Sequence, residues 1–132
     1  MSRSQPFILA MTLTLLLAVA AVAQQGGVVK VEGYVIDSSC AYTKNLDKPI
    51  SAACARSCAK GGSPLVILTS DGAIYWPISG GVPATGQNQK LMPFAGEKVA
   101  ASGKVFQRAG SRAIVIEKIG RVASSKTAPA TH

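Results

Sequence analysis

The three cysteines of this chain lie close together in the sequence and are its clearest candidates for chemistry. Cys40, Cys54 and Cys58 all fall within residues 40–58, whose sequence is CAYTKNLDKPISAACARSC. Thiols can form a structural disulfide, exchange disulfides with another molecule or bind a soft metal ion. The spacing of the three residues helps to separate these possibilities.

A structural disulfide is the first interpretation. Cys54 and Cys58 are four positions apart, which on a helix separates their Cβ atoms by about 5 to 6 Å. A disulfide requires about 3.5 to 4.5 Å between Cβ atoms, so a bridge within one helix would be strained. Cys40 is therefore the better partner, and the spacing leaves open whether it pairs with Cys54 or with Cys58. Such a bridge stabilises a domain by about 3 kcal/mol and leaves one thiol unpaired.

The unpaired thiol leaves two other kinds of chemistry open. Thiol exchange can occur if Cys54 and Cys58 alternate as partners of Cys40. The neighbouring cations Arg56 and Lys60 would favour that reaction by lowering the thiol pKa values. Three converging thiolates could instead bind copper(I), or zinc together with a fourth ligand.

The remaining sequence offers few further groups for metal binding or hydrolysis. The only histidine, His132, is the last residue of a polar tail, a position that favours solvation over metal binding. With 6 Asp and Glu residues and no interior histidine, a nucleophile and base pair is hard to assemble. We therefore expect no enzymatic activity beyond thiol chemistry, and no cofactor unless copper or zinc binds the cysteines.

Aromatic and basic residues on predicted strands form a second candidate site. Small barrels bind single-stranded nucleic acids by stacking bases on aromatic rings along a basic surface. Adjacent Tyr75 and Trp76 must point to opposite faces of a strand, so only one of them can join a ligand face. The predicted members of this face are Tyr34, Trp76, Lys104, Phe106 and Arg108.

The N-terminal segment predicts the compartment. Residues 1–23 combine Arg3, a long apolar run and the small residues Ala21 and Ala23, a pattern typical of a cleaved signal peptide. An apolar run of about 17 residues is at the lower limit for spanning a bilayer, so we expect no transmembrane segment after cleavage. The mature protein would be periplasmic or extracellular, where oxidising conditions favour disulfides.

The composition is basic and restricts the choice of partners. The chain has 14 Lys and Arg residues against 6 Asp and Glu residues, a formal net charge of +8. An exported basic protein can meet anionic components of the cell envelope or acidic proteins, whereas it seldom meets nucleic acid. The cations are scattered along the sequence, which also fits a charge that only maintains solubility.

The elements that must position these residues follow from hydrophobic periodicity. Residues 28–37 alternate apolar and polar positions, which predicts a strand, and Gly33 at its centre predicts a sharp bend. Residues 51–60 predict a helix that begins after Ser51 and ends at Gly61. The other predictions are strands at 64–70, 73–78, 98–107 and 112–122 and a short helical plug within 87–96.

The order of these elements predicts the fold. The fourth strand repeats the pattern of the first, with Gly103 in the place of Gly33, and we expect both strands to coil tightly there. Five strands with a helical plug before the fourth are typical of an OB-like barrel. The predicted fold class is therefore mainly β, a five-stranded OB-like barrel at residues 24–122, followed by a disordered tail at 123–132.

Several segments carry a resemblance to a known group. VIDSSC, CARSCAKGGSPLVIL, DGAIYWP and FAGEKVAASGKV resemble the small exported OB-fold-like proteins of bacteria that are grouped as domains of unknown function. The resemblance implies the same barrel, with a cysteine-bearing insertion after the first strand, and it implies no activity. Members of that group often have a histidine soon after the first cysteine, where this chain has residues 41–44, AYTK.

These patterns predict two alternative functions. The first is an exported, non-enzymatic binding or cell-envelope interaction module, stabilised by a disulfide. The alternative is a thiol-redox or copper-handling protein that uses Cys40, Cys54 and Cys58. The cysteine segment stabilises the barrel in the first case and is the active site in the second.

Overall fold

The computed structural model describes residues 27–44 and 50–123 of the chain. The strands are β1 (Val28–Asp37), β2 (Leu65–Leu68), β3 (Ile74–Pro77), β4 (Lys98–Arg108) and β5 (Ser111–Arg121). The helices are α1 (Ser38–Thr43), α2 (Ala52–Lys60), α3 (Asn88–Leu91) and a 3-10 helix at Met92–Phe94. The predicted signal peptide and all but the first residue of the predicted tail lie outside the described residues.

The five strands close into a barrel in the order β1, β2, β3, β5, β4. All neighbouring strands pair in antiparallel fashion except β3 and β5, which are parallel. Strand β1 closes the barrel, because its residues 28–34 pair with β4 and its residues 34–37 pair with β2. The predicted fold class, mainly β with a small five-stranded OB-like barrel, is confirmed.

At Gly33 and Gly103 the neighbouring strand leaves no space for a side chain. A Cβ atom at Gly33 would lie 2.5 Å from the carbonyl oxygen of Leu68. At Gly103 a Cβ atom would overlap the carbonyl oxygen of Val115, next to a bulge in the β4–β5 pairing after Ser102. Each glycine is therefore required because opposing backbone occupies the space that a side chain would need.

Apolar side chains pack on both faces of the sheet. The barrel interior contains fully buried Val35, Ile67, Val99 and Ile114, and Leu91 of the helical plug joins the same core. The short helical plug predicted within 87–96 thus contributes Leu91 to the core. Its neighbours Met92 and Phe94 are partly buried against this core.

A second cluster, which we call the outer cluster, covers the outside of β1, β2 and β3. Tyr75 packs against the barrel interior and Trp76 against the outer cluster, so the two aromatic residues point to opposite faces as predicted. The outer cluster consists of Ile36, Cys40, Ala41, Ile50, Val66, Leu68, Ile74 and Trp76. Both Cys40 and Trp76 therefore belong to one apolar layer.

Residues 38–43 form helix α1, which the sequence analysis did not predict. The side chain of Asp37 caps the helix by accepting a hydrogen bond from the backbone N of Cys40 at 3.0 Å. Ala41 is buried in the outer cluster. Ser, Cys and Thr are weak helix formers, so the cap and the burial of Ala41 together explain why the helix forms. Helix α2, by contrast, begins after Ser51 and ends at Lys60, as predicted.

Asn88 connects three elements that are distant in sequence. Its Oδ1 accepts a hydrogen bond from the backbone N of Leu65 at 2.9 Å. Its Nδ2 donates to the carbonyl oxygens of Ser63 at 2.8 Å and Ala59 at 3.4 Å. One amide side chain thus fixes the helical plug to the end of α2 and the start of β2.

We expect Asn88→Ala to lower the free energy of unfolding by about 2 kcal/mol, because the buried N–H of Leu65 loses its acceptor. Gln87→Ala is the matched control, since the Gln87 amide donates only to carbonyls of its own exposed loop. Urea denaturation of both variants measures the difference. Equal midpoints would show that Asn88 does not hold the plug in place.

Candidate functional site

Asp37, at the end of β1, lies where α1 meets the segment after α2. It is only 3% exposed, and its carboxylate accepts hydrogen bonds from the backbone N of Cys40 and from the hydroxyl of Ser63. Burial raises the pKa of Asp37, but hydrogen bonds from Ser63 and Cys40 outweigh it and hold the pKa below its ordinary value. Asp37 therefore carries a buried negative charge beside a thiol.

Cys40 and Cys58 interact electrostatically with this carboxylate, and with Cys54 they form what we call the thiol cluster. Cys40 and Cys58 are half-buried, Cys54 is exposed, and all three are free. Cys58 interacts with Cys54, Asp37 and Cys40, each of which contributes to raising its pKa. No two of the three thiols lie at disulfide distance, so the structure does not contain the predicted disulfide from Cys40 to Cys54 or Cys58. No group of three or more His, Cys, Asp or Glu residues within 27–44 and 50–123 is arranged to hold a metal ion.

The thiol cluster favours protonated cysteines. Burial raises the pKa of Cys40, and the negative charge of Asp37 raises it further. Burial also raises the pKa of Cys58, with further contributions from the other thiols and from Asp37. Both shifts are opposite to the lowering that the sequence suggested for thiols beside Arg56 and Lys60. Since the thiolate is the nucleophile, these two cysteines are poorly suited to fast thiol exchange.

A groove with a volume of about 360 Å³ opens beside α1. Tyr42 of α1 and Trp76 of β3 supply aromatic rings, and Arg112 of β5 supplies the charge. Trp76 is the only tryptophan of the chain. The remaining lining comes mostly from small residues of the two hairpin turns, which leave the space open: Gly72, Ala73, Ile74, Gly110 and Ser111.

Arg112 is held in place at the barrel rim. Its guanidinium carbon lies 5.9 Å from the centroid of the Tyr75 ring, a cation–π arrangement. Arg112 also pairs with Tyr75 across the parallel β3–β5 ladder. Arg112 therefore contacts the Tyr75 ring and also lines the groove.

Four of the five predicted ligand-face residues share one outer face of the barrel. Trp76 pairs with Ala113, and Ala113 pairs with Phe106, so two aromatic residues flank a small one across three strands. Lys104 and Arg108 lie two positions before and after Phe106 and point the same way. Of these four residues, only Trp76 lines the groove.

Tyr34 lies apart from the other four. It lines a separate cavity of about 700 Å³ together with Lys98 and Arg121. Arg121 is already engaged there by Glu97 and by the ring of Phe94. The structure therefore does not bring Tyr34 into the predicted ligand face.

Sequence reasoning missed Tyr42 and Arg112 as groove residues. Tyr42 lies on α1, and the signal that could have indicated this helix is Asp37, three positions before Cys40 in the arrangement of an N-cap. No comparable local signal exists for Arg112, because Arg112 comes close to Trp76 only through the long-range pairing of β3 with β5.

Comparison of the chain with protein-family models, curated proteins and solved structures finds no match. Within the described ranges, none of the helices has the length and apolarity needed to cross a bilayer. The groove and the thiol cluster are therefore the two features from which a function can be argued.

Proposed function

We propose that this protein is an exported, non-enzymatic binding module that takes an anionic polysaccharide of the cell envelope into its groove. The observation that carries the proposal is the convergence of Tyr42, Trp76 and Arg112 on one open groove. Flat rings offer stacking surfaces to sugar or base rings. A guanidinium pairs with carboxylates through two parallel hydrogen bonds. The combination suits a polymer of acidic sugars.

Charge favours an anionic ligand over a cationic one. Beyond the groove, Lys104 and Arg108 extend the same outer face along β4, and the whole chain has a net charge of +8. Asp71 is the acid that interacts electrostatically with Arg112. Its carboxylate accepts hydrogen bonds from the hydroxyl of Thr69 and the backbone N of Ala73, so Arg112 is not its principal partner.

A disulfide from Cys40 to Cys54 or Cys58 is part of the proposed mature protein. All three cysteines are free and no two of them lie at disulfide distance, so the support for this bridge is the predicted export compartment, which is oxidising. Closing a loop of about 15 to 19 residues contributes about 3 kcal/mol to the stability of a domain. The disulfide would then link α1 covalently to α2.

Thiol-redox or copper handling is the alternative, and one observation favours it. The three thiols and Asp37 interact within one cluster, whereas a structural disulfide requires only two thiols. The raised pKa values of Cys40 and Cys58 count against a nucleophilic site. Thiol counting and metal analysis of the purified protein distinguish the two functions. If the protein binds stoichiometric copper and Cys58→Ser loses it, the protein handles copper and the binding module is ruled out.

Quenching of Trp76 fluorescence provides the test of the binding function, because no other tryptophan contributes to the signal. We expect polygalacturonate to change the emission and neutral dextran to leave it unchanged. Arg112→Gln should weaken polygalacturonate binding about tenfold, as expected for the loss of a hydrogen bond to a charged group. Higher salt should weaken binding to the wild-type protein.

Lys118→Gln is the control for this titration, because it removes the same charge from β5 at a position outside the groove. It should bind polygalacturonate with nearly wild-type affinity. An equal response to dextran and polygalacturonate would contradict the proposal. If single-stranded oligothymidylate quenches the fluorescence and polygalacturonate does not, the ligand is a nucleic acid and not a polysaccharide.

A further inference from the structure

The groove is too small to hold a polymer, so a polymeric ligand must continue onto the surface beside it. The groove volume of about 360 Å³ lies near the lower end of the range for ligand pockets, about 300 to 1,000 Å³. Such a space takes a short piece of an anionic polysaccharide and leaves the rest of the polymer outside. The residues next to the groove therefore decide how a longer ligand is bound.

The outer face of β5 and β4 begins at the edge of the groove. Ser111, which lines the groove, pairs with Arg108 of β4. Two residues further along β5, Ala113 pairs with Trp76 on one side and with Phe106 on the other. Directly paired residues point to the same face of a sheet, so the groove and Phe106 share one continuous surface.

Trp76, Ala113 and Phe106 form what we call the platform. Val105 packs against the barrel interior, so its neighbour Phe106 points outward. Trp76 and Phe106 are both half-buried and keep part of their rings exposed. Their backbones are two strand spacings apart, about 10 Å. The small side chain of Ala113 lies between them, so the platform has an aromatic ring at each end and a low floor.

The loop at residues 79–86 limits the platform on one side. A Cβ atom at Gly80 would lie 3.0 Å from a side-chain carbon of Val115, so the loop backbone lies against the outer face of β5 two residues beyond Ala113. A ligand that leaves the groove is thereby kept from continuing along β5. The open direction leads across to β4, where Phe106 and the exposed Lys104 lie.

The charge of this face suits a polymer of acidic sugars. Lys104 is exposed and lies two positions before Phe106, so its ammonium group can pair with a carboxylate of a sugar bound beside that ring. No acid lies among the six outward positions of the two strands, which are Lys104, Phe106, Arg108, Ser111, Ala113 and Val115.

We propose that the platform is a second subsite for the same anionic polysaccharide, and that the protein recognises an internal stretch of the polymer and not a single sugar. This inference rests on the binding function proposed above and assigns the length of its ligand. One sugar ring stacks on Trp76 in the groove. A later ring of the same polymer stacks on Phe106, and its carboxylate pairs with Lys104. Phe106 and Lys104 thus determine the preference for long over short ligands.

The experiment measures the affinity for galacturonate oligomers, from the dimer to the hexamer, by Trp76 fluorescence. We expect the wild type to bind the hexamer more than about tenfold more tightly than the dimer. Phe106→Ala should bind the hexamer about tenfold more weakly than the wild type, as expected for the loss of one stacking ring, and should bind the dimer equally well. A longer oligomer offers more registers to any single subsite, but this advantage is the same for the wild type and the variant.

Lys104→Gln is a second variant that tests the platform even if Phe106→Ala does not fold, because Lys104 is exposed and its replacement leaves the packing intact. It should also weaken binding of the hexamer and leave binding of the dimer unchanged. Lys118→Gln is the control, since it removes the same charge from β5 at a position that pairs with Ser102, away from the platform. It should bind both oligomers as the wild type does.

The outcomes separate the platform from the groove. Equal affinities of the wild type for the dimer and the hexamer would overturn the second subsite and leave the groove as a binding site. A preference for the hexamer that persists unchanged in Phe106→Ala and in Lys104→Gln would overturn the assignment of that subsite to the platform. Absence of binding for every oligomer would overturn the binding function itself, and the second subsite with it.

Discussion

Replacing Gly103 by alanine should destabilise the barrel by about 3 kcal/mol or more, and Gly33→Ala should have a similar effect. The cause is the same at both positions, because a single Cβ atom would meet a backbone carbonyl oxygen of the neighbouring strand. A flexible side chain could rotate away from such a contact, but a carbonyl within a β-ladder cannot. The strands would have to separate and weaken the hydrogen bonds that close the barrel. Such a loss is a large fraction of the stability of a small domain.

Gly120→Ala is the matched control for the two glycine substitutions. Gly120 also lies within a barrel strand, and nothing lies within 4 Å of the position of its missing Cβ. We expect its free energy of unfolding to change by about 0.5 kcal/mol or less. Urea denaturation compares the three variants with the wild type. If Gly103→Ala and Gly120→Ala unfold at the same urea concentration, β4 and β5 do not approach each other as closely as described.

The barrel could be predicted from the sequence because its signals are local and repeated. Alternation in residues 28–37 and 98–107, with one glycine in the same place in each, indicated two coiled strands that turned out to pair with each other. Asp71–Gly72, a dipeptide that favours hairpin turns, lies between the strands predicted at 64–70 and 73–78, which form the hairpin of β2 and β3. Such patterns act over a few residues and need no knowledge of which strands become neighbours.

The groove could not be predicted in the same way. Trp76, Ala113 and Phe106 form a row only because β3 pairs with β5 in parallel, and β5 pairs with β4 around a bulge. No residue close to Trp76 in sequence carries information about that register. Tyr34 was grouped with Trp76 because both are aromatic residues on strands, yet closure of the barrel places it at a different cavity.

The thiol cluster shows a further limit of reasoning from neighbours in sequence. Arg56 and Lys60 flank the cysteines of α2, which suggested lowered thiol pKa values. Lys60 is exposed, and water and salt screen an exposed charge strongly. Asp37 is buried against Cys40, and a charge acts more strongly where the surroundings are less polar. Burial, visible only in the folded chain, therefore decided the direction of the shift.

Asp37→Asn should change both the stability of the protein and the reactivity of its thiols. The carboxylate accepts hydrogen bonds from the backbone N of Cys40 and the hydroxyl of Ser63, and an amide offers only one oxygen in its place. We expect the free energy of unfolding to fall by about 2 kcal/mol at neutral pH. Loss of the negative charge should lower the pKa of Cys40 and of Cys58, so both thiols should react faster with iodoacetamide near pH 8.

The pH dependence of stability is a second, independent measurement of the contribution of the Asp37 carboxylate. The pKa of Asp37 in the folded protein lies below its ordinary value of 3.8. Its ionised form therefore stabilises the fold above that pH, and the contribution is lost as the pH falls through the folded pKa. The difference in stability between the wild type and Asp37→Asn should accordingly narrow in acid.

Asp71→Asn is the control, because Asp71 also has a lowered pKa but lies exposed in a hairpin turn away from the cysteines. Its thiol reactivity should match that of the wild type. Residue-specific alkylation rates, measured by mass spectrometry, compare the two variants. Unchanged alkylation of Cys40 in Asp37→Asn would show that the buried carboxylate does not govern the thiol cluster, and that burial alone accounts for the protonated state of these thiols.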